Sequence, residues 1–304
     1  MHVLITDSGV GGLSVCAYAE RFVRLQGASE PIQLTFANAA PANDYGYNSM
    51  PTRDEKIETF DRFLRNVTAR FAPDLIYVAC NTLSVLMPDT PYIATAKIPV
   101  RGIVTTGVEL LLDQLHADPR SVAIIFGTQT TIDAGTYPRL LGERGIDSSR
   151  IISQACPGLA DTISEDREGT KTRAEIERWV HAALTQLSAR DTPVVACLAC
   201  THYGYRKELF AAAFAEAGIA ATVVNPNESA VQDIFNPAGA ATSEPLTPPT
   251  TLRPTIVNHE ASVRFVTRYA IPAATIEALS WFLNEISPKT VTAMQVFEHL
   301  PDLF

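Results

Sequence analysis

Two cysteines in this chain sit where a thiol could do acid–base chemistry. Cys80 follows the apolar run Leu75–Ala79 and precedes Asn81-Thr82, while Cys200 follows Val194–Leu198 and precedes Thr201-His202. Small polar residues after a buried strand suit a helix N-cap, and a thiol at a helix N-terminus is expected to ionise below its free value of about 8.5. Two such thiols on opposite walls of a cleft could each exchange a proton with one carbon. His202 could share a proton with the Cys200 thiol or with a substrate. Asp7 ends the first apolar run, where a carboxylate can orient an amine or tune a neighbouring acid–base group.

Other motifs carry less chemistry. Asp7-Ser8-Gly9-Val10-Gly11-Gly12 lies between a strand and a helix, and its glycines allow a tight turn and backbone approach to a ligand. The dinucleotide fingerprint fails because its last glycine is Ser14 and the next strand ends at Asn38 instead of an acid. A P-loop lysine is missing too. Cys197 and Cys200 form a Cys-x-x-Cys pair, but no second pair of cysteines or histidines completes a zinc set, so no metal is expected. Cys16 reads as a core residue, Cys197 as a strand residue, and Cys156-Pro157 as a loop near the cleft.

An alternating chain of strands and helices must position these groups. The strand candidates are Val3–Ile5, Gln33–Phe36, Leu75–Ala79, Val100–Ile103, Val122–Phe126, Val194–Leu198 and Thr222–Val224. Between them, Ile57, Phe60, Leu64, Val67 and Phe71 make one apolar helical stripe. Thr172-Arg173-Ala174-Glu175 fits a capping box ahead of Ile176, Val180, Ala183 and Leu187. Such strands predict parallel sheets covered on both faces, with functional loops at their carboxyl ends. Asp7 and Cys80 are 73 positions apart, and Thr128 and Cys200 are 72 apart. This internal repeat predicts two similar doubly wound α/β domains facing each other across a cleft. Five prolines within 236–254 mark an extended connector, and Ile276, Leu279, Leu283 and Ile286 predict a helical C-terminal extension.

Composition narrows the function classes. At 304 residues the chain suits two domains of about 150 each. A net charge of −9 with scattered Lys and Arg argues against nucleic acid. No apolar run reaches membrane-spanning length, and the opening Met1–Asp7 lacks a basic leader. Five cysteines, an odd number, argue against a disulfide scaffold, so a cytoplasmic protein is expected.

Together, Asp7-Ser8-Gly9-Val10-Gly11-Gly12-Leu13, Cys80-Asn81-Thr82 and Cys200-Thr201-His202-Tyr203 resemble the glutamate racemases of the aspartate/glutamate racemase superfamily. Tyr45-Gly46, Gly127-Thr128 with Thr131-Ile132, and Ala155-Cys156-Pro157 extend the resemblance over roughly residues 1–235. It implies cofactor-independent racemisation of glutamate by Cys80 and Cys200, assisted by Asp7 and His202 on their respective sides, and a role in supplying D-glutamate for peptidoglycan. Ser8, Tyr45, Gly46, Asn81, Thr82, Thr128, Thr131 and Thr201 would hold the substrate. It also implies a first domain of residues 1–100 with 215–270, a second of 101–214, and an extension at 271–304. The expected partner is a small-molecule amino acid, with no cofactor, nucleic acid or membrane; a homodimer stays open.

The chain departs from the family pattern at several places. Asp44 stands where Pro-Tyr-Gly begins, Leu83 stands for a small residue after Cys80-Asn81-Thr82, Ser164 takes a glutamate position, and Ala37-Asn38 replaces Gly-Asp. These departures keep two alternatives in play. One is a racemase of aspartate, another amino acid or a hydantoin; the other is a silent homologue that binds an amino acid or a protein partner.

Overall fold

A computed structural model describes residues 1–236 and 260–304. Apart from Asn236, the proline-rich stretch lies outside the described residues. The first four strands are β1 (His2–Asp7), β2 (Ile32–Asn38), β3 (Leu75–Val78) and β4 (Val100–Gly102). They are followed by β5 (Val122–Gly127), β6 (Ile151–Ala155), β7 (Val194–Ala199) and β8 (Ala221–Val224). The last two are β9 (Ala261–Thr267) and β10 (Glu298–His299).

These strands form two sheets, ordered β10-β9-β2-β1-β3-β4 and β6-β5-β7-β8, with every pair parallel. Within them the orders 2-1-3-4 and 6-5-7-8 repeat, which gives the 73- and 72-residue spacings a structural meaning. In each half the chain leaves the first strand to pair on one side, then crosses to the other side of that strand. The crevice outside the carboxyl ends at such a switch point is where open α/β sheets bind ligands. Asp7 and Cys80 lie at the switch of one sheet, and Thr128 and Cys200 at that of the other.

Among the described residues, three apolar clusters hold this arrangement. The largest joins both halves, running from Val3 and Ile5 through Phe126 to Phe210, Phe214 and Leu279. The helix Arg53–Phe71 is capped by the Thr52 hydroxyl, which accepts from the Glu55 N–H, and it buries Phe60, Phe63, Leu64 and Val67. Its predicted stripe is correct in phase, although Ile57 and Phe71 are only partly covered.

One expectation needs correction. The capping box at Thr172 does not form: the helix begins at Thr170 behind Gly169, and the Thr172 N–H and hydroxyl both donate to Asp166 Oδ2. β8 pairs with β7, and the chain returns to the first sheet as β9. Residues 271–304 pack against the main body. β10 completes the first sheet, and Leu279, Leu283 and Met294 enter the largest core.

Phe126 is fully buried in β5, with its ring 5.2 Å from Phe210 and 6.1 Å from Phe214. Truncating it leaves a cavity that neighbours anchored in a sheet and a helix fill only partly. Phe126→Ala is therefore expected to lower unfolding free energy by about 3–5 kcal/mol, as read from urea denaturation.

Candidate active site

The carboxyl ends of the two sheets enclose a cleft of about 640 Å³. Of the residues singled out from sequence, Asp7, Ser8, Gly46, Cys80, Asn81, Thr82, Thr128, Cys200, Thr201 and His202 line it. Tyr45 and Thr131 do not. Tyr45 is 38% exposed and donates to Glu55 Oε1, while Thr131 sits behind the lining and hydrogen-bonds to Thr128 at 3.0 Å.

Each cysteine sits just past a strand, where the sheet ladder ends and a turn begins. Cys80 caps the short helix Asn81–Ser84, its Sγ accepting from the Leu83 N–H at 3.4 Å, and Ser8 Oγ lies 3.1 Å from the same sulfur. Cys200 lies 4.0 Å from His202 Nδ1. The expectation of depressed thiol pKa values is not met. Burial pushes Cys80 up to about 12, and charge on Asp7 adds to the effect. Burial raises Cys200 well above its ordinary value, with negative charge on Cys80 and Asp7 acting the same way. A short helix and a few N–H donors do not offset the loss of water around a sulfur anion.

Asp7 is tied to the opposite wall. Thr201 Oγ1 donates to Asp7 Oδ2 at 2.9 Å, and the Gly9 N–H donates to Oδ1 at 2.9 Å. Burial nevertheless raises the Asp7 carboxyl to about 6, and burial lowers His202 to about 4. The glycines of the first loop serve this junction. A Cβ on Gly11 would come within 2.4 Å of Thr201 Oγ1 and 2.5 Å of His202 Nδ1, so the space there is taken by protein and not by a ligand. A second bridge joins the halves where Thr82 Oγ1 and Thr128 Oγ1 meet at 2.9 Å. Tyr137 donates to Asn81 Oδ1 at 2.7 Å, while the buried Asn81 Nδ2 has no partner among the described residues.

The departures from the family pattern separate by location. Leu83 is fully buried in the cluster around Phe60 and Phe63, so its bulk goes to the core. Asp44, Asp161, Ser164 and Glu165 line the cleft, and among the described lining residues there is no Lys or Arg. Tyr269, Ile271, Pro272 and Thr275 also line it, and sequence reasoning missed them. They follow β9, a strand whose alternating polar and apolar residues lie just after the proline-rich stretch. The apolar pair Ile271-Pro272 directly before a helix was the available signal.

No family model matches the sequence. Among curated relatives, the glutamate racemase of Pseudomonas aeruginosa strain UCBPP-PA14 is 30% identical over 211 residues, covering 68% of this chain and 71% of the relative. That of Nitratiruptor sp. is 28% identical over 204 residues, covering 67% and 72%. Among solved structures, the Campylobacter jejuni glutamate racemase matches with a TM-score of 0.68 at 22% identity, over 93% of this chain and 98% of the other. The Francisella tularensis glutamate racemase in complex with D-glutamate also scores 0.68, at 21% identity over 99% and 98%. At these identities the structural matches speak for the fold.

The Thr201–Asp7 bond yields a signed prediction. With a folded pKa near 6 against an unfolded 3.8, Asp7 binds more protons folded than unfolded, so its contribution to stability falls as pH rises from about 4 to 6. Thr201→Val removes a donor to the ionised form. It should lower stability by about 1–3 kcal/mol at pH 7.5 and by less at pH 5, when denaturation is measured at both.

Proposed function

Because the chain belongs to the glutamate racemase family of isomerases, we propose that it interconverts L- and D-glutamate by proton transfer between its α-carbon and two thiols, Cys80 and Cys200. The observation that carries the reading is that these thiols line one cleft from the ends of equivalent strands, β3 and β7, in two sheets of matching order.

The chemistry runs through a thiolate formed at one sulfur when substrate binds. The substrate ammonium brings a positive charge beside lining residues that include no described Lys or Arg, which favours ionisation of a nearby thiol. Asp7, with a carboxyl near 6, can hold that ammonium or take up a proton. The thiolate removes the α-proton as the Cα–H electron pair moves onto the substrate, and the opposite thiol then delivers its own proton to the other face. The first sulfur ends as a thiol and the second as a thiolate, so the enzyme finishes poised for the reverse direction. Ser8 Oγ and the Leu83 N–H favour the anionic form of Cys80. His202 lies beside Cys200 and stays neutral at physiological pH. Asn81 Nδ2 and a hydroxyl of the Thr82–Thr128 pair are neutral donors for the carboxylate oxygens of the substrate, which meet no cation among the described lining residues, while the Thr201 hydroxyl stays on Asp7.

The acidic rim favours a second substrate reading. Asp44, Asp161 and Glu165 would repel a side-chain carboxylate, which points to an amino acid with a neutral side chain. Racemisation of L- and D-glutamate, aspartate, glutamine and alanine, followed by polarimetry without added cofactor, decides between them. Glutamate turnover in both directions supports the first reading, and turnover of glutamine or alanine alone supports the second. Cys80→Ala and Cys200→Ala should each lower kcat by about 10²–10⁴-fold. Full activity in either variant contradicts the two-thiol mechanism.

A further inference from the structure

At the carboxyl edge of the first sheet, Asp7 pairs in register with Asn38 at the end of β2, and Ala37 pairs with Val266, just before Thr267 at the end of β9. Asn38 is fully buried, and its neighbours fix which way its amide faces. The Ala40 N–H donates to Asn38 Oδ1 at 2.9 Å, so that oxygen is the acceptor end. Thr267 Oγ1 spends its own proton on the Tyr269 carbonyl at 3.0 Å, so it can only accept from Asn38 Nδ2, at 3.4 Å. The same Nδ2 donates to Tyr269 Oη at 3.1 Å. The phenol oxygen is therefore used as an acceptor, and its O–H donates to no described residue.

Tyr269 lines the cleft. From this we infer that Tyr269 is a substrate-binding residue, its free O–H donating to a carboxylate oxygen of the amino acid, and that Asn38 is the positioning residue that orients it. The inference rests on the amino-acid reading given above. Burial raises the Tyr269 pKa, so the hydroxyl keeps its proton at neutral pH. A carboxylate at position 38 would work the other way, because it would accept the phenol proton and withdraw it from the cleft. In a cleft whose described lining residues include acids but no Lys or Arg, an uncharged donor of this kind can hold a carboxylate without a cation.

Tyr269→Phe keeps the ring and removes only the donor. On the amino acid that the wild type turns over, this variant should raise KM and the calorimetric Kd about tenfold or more, with kcat within about threefold and the melting temperature unchanged. Asn38→Asp at pH 8 should raise KM in the same direction and add little in the Tyr269→Phe background, since both changes remove one donor. An unchanged KM in Tyr269→Phe, or a loss confined to kcat, overturns the assignment whether or not Asn38→Asp folds. A wild type that neither binds nor racemises any amino acid overturns the functional reading and this role with it. Normal wild-type turnover beside an indifferent Tyr269→Phe overturns this role alone.

Discussion

The buried hydrogen bond from Thr201 Oγ1 to Asp7 Oδ2 joins the end of β1 in one sheet to the loop after β7 in the other. A carboxylate with almost no exposure must find donors or lose its charge, and here one of its donors comes from the opposite half of the molecule. The contact sets how closely the two carboxyl edges approach. Gly11 is bare of a side chain because Thr201 and His202 occupy the space a Cβ would need, and Tyr205 adds a bond to the Gly11 carbonyl at 3.1 Å. Asn227 reinforces the junction by donating to both Ser14 Oγ and the Thr201 carbonyl. The Thr82–Thr128 contact is a second bridge, formed by the loops after β3 and β5. The cleft is the space these bridges leave open.

That closeness determines the electrostatics. Two thiols and a carboxylate share a desolvated volume in which each negative charge disfavours the others. Burial keeps both thiols protonated at neutral pH, and on the proposed mechanism a cationic group in the cleft stabilises a thiolate. On the proposed mechanism an α-amino acid brings such a group on the carbon that reacts, so binding and activation of the base would be one event. The acidic rim acts in the same direction, because it attracts an ammonium and discourages further negative charge.

Much of this was legible in the sequence where a local signal and a global constraint agreed. The apolar runs before Cys80 and Cys200 are β3 and β7, and the near-equal spacings reflect two sheets of the same order. Signals carried by one neighbour alone failed. Thr172 and Glu175 fit a cap, yet Asp166 took the Thr172 donors from outside the helix. Asn81 and Thr82 suited a helix start that would lower a thiol pKa, but burial, which no local motif reports, reversed the direction. β9 was missed because its alternation of polar and apolar residues differs from the continuous apolar runs of the central strands. With it went Tyr269, whose place in the cleft depends on a pairing with β2 more than 200 residues away in the chain. Leu83 shows the converse: a departure beside a cysteine that faces the core and leaves the cleft unaltered.

The central claim is that two thiols on facing walls act on one carbon, each holding its own proton. Heavy water tests it most directly: L-glutamate is incubated with the protein and stopped at low conversion, and the α-position of both enantiomers is read by NMR. Two independent proton holders predict deuterium at the α-carbon of the D-product and almost none in the recovered L-glutamate, with the mirror result from D-glutamate. Deuterium entering the recovered substrate as fast as the product would mean that one group serves both faces, and would contradict the account.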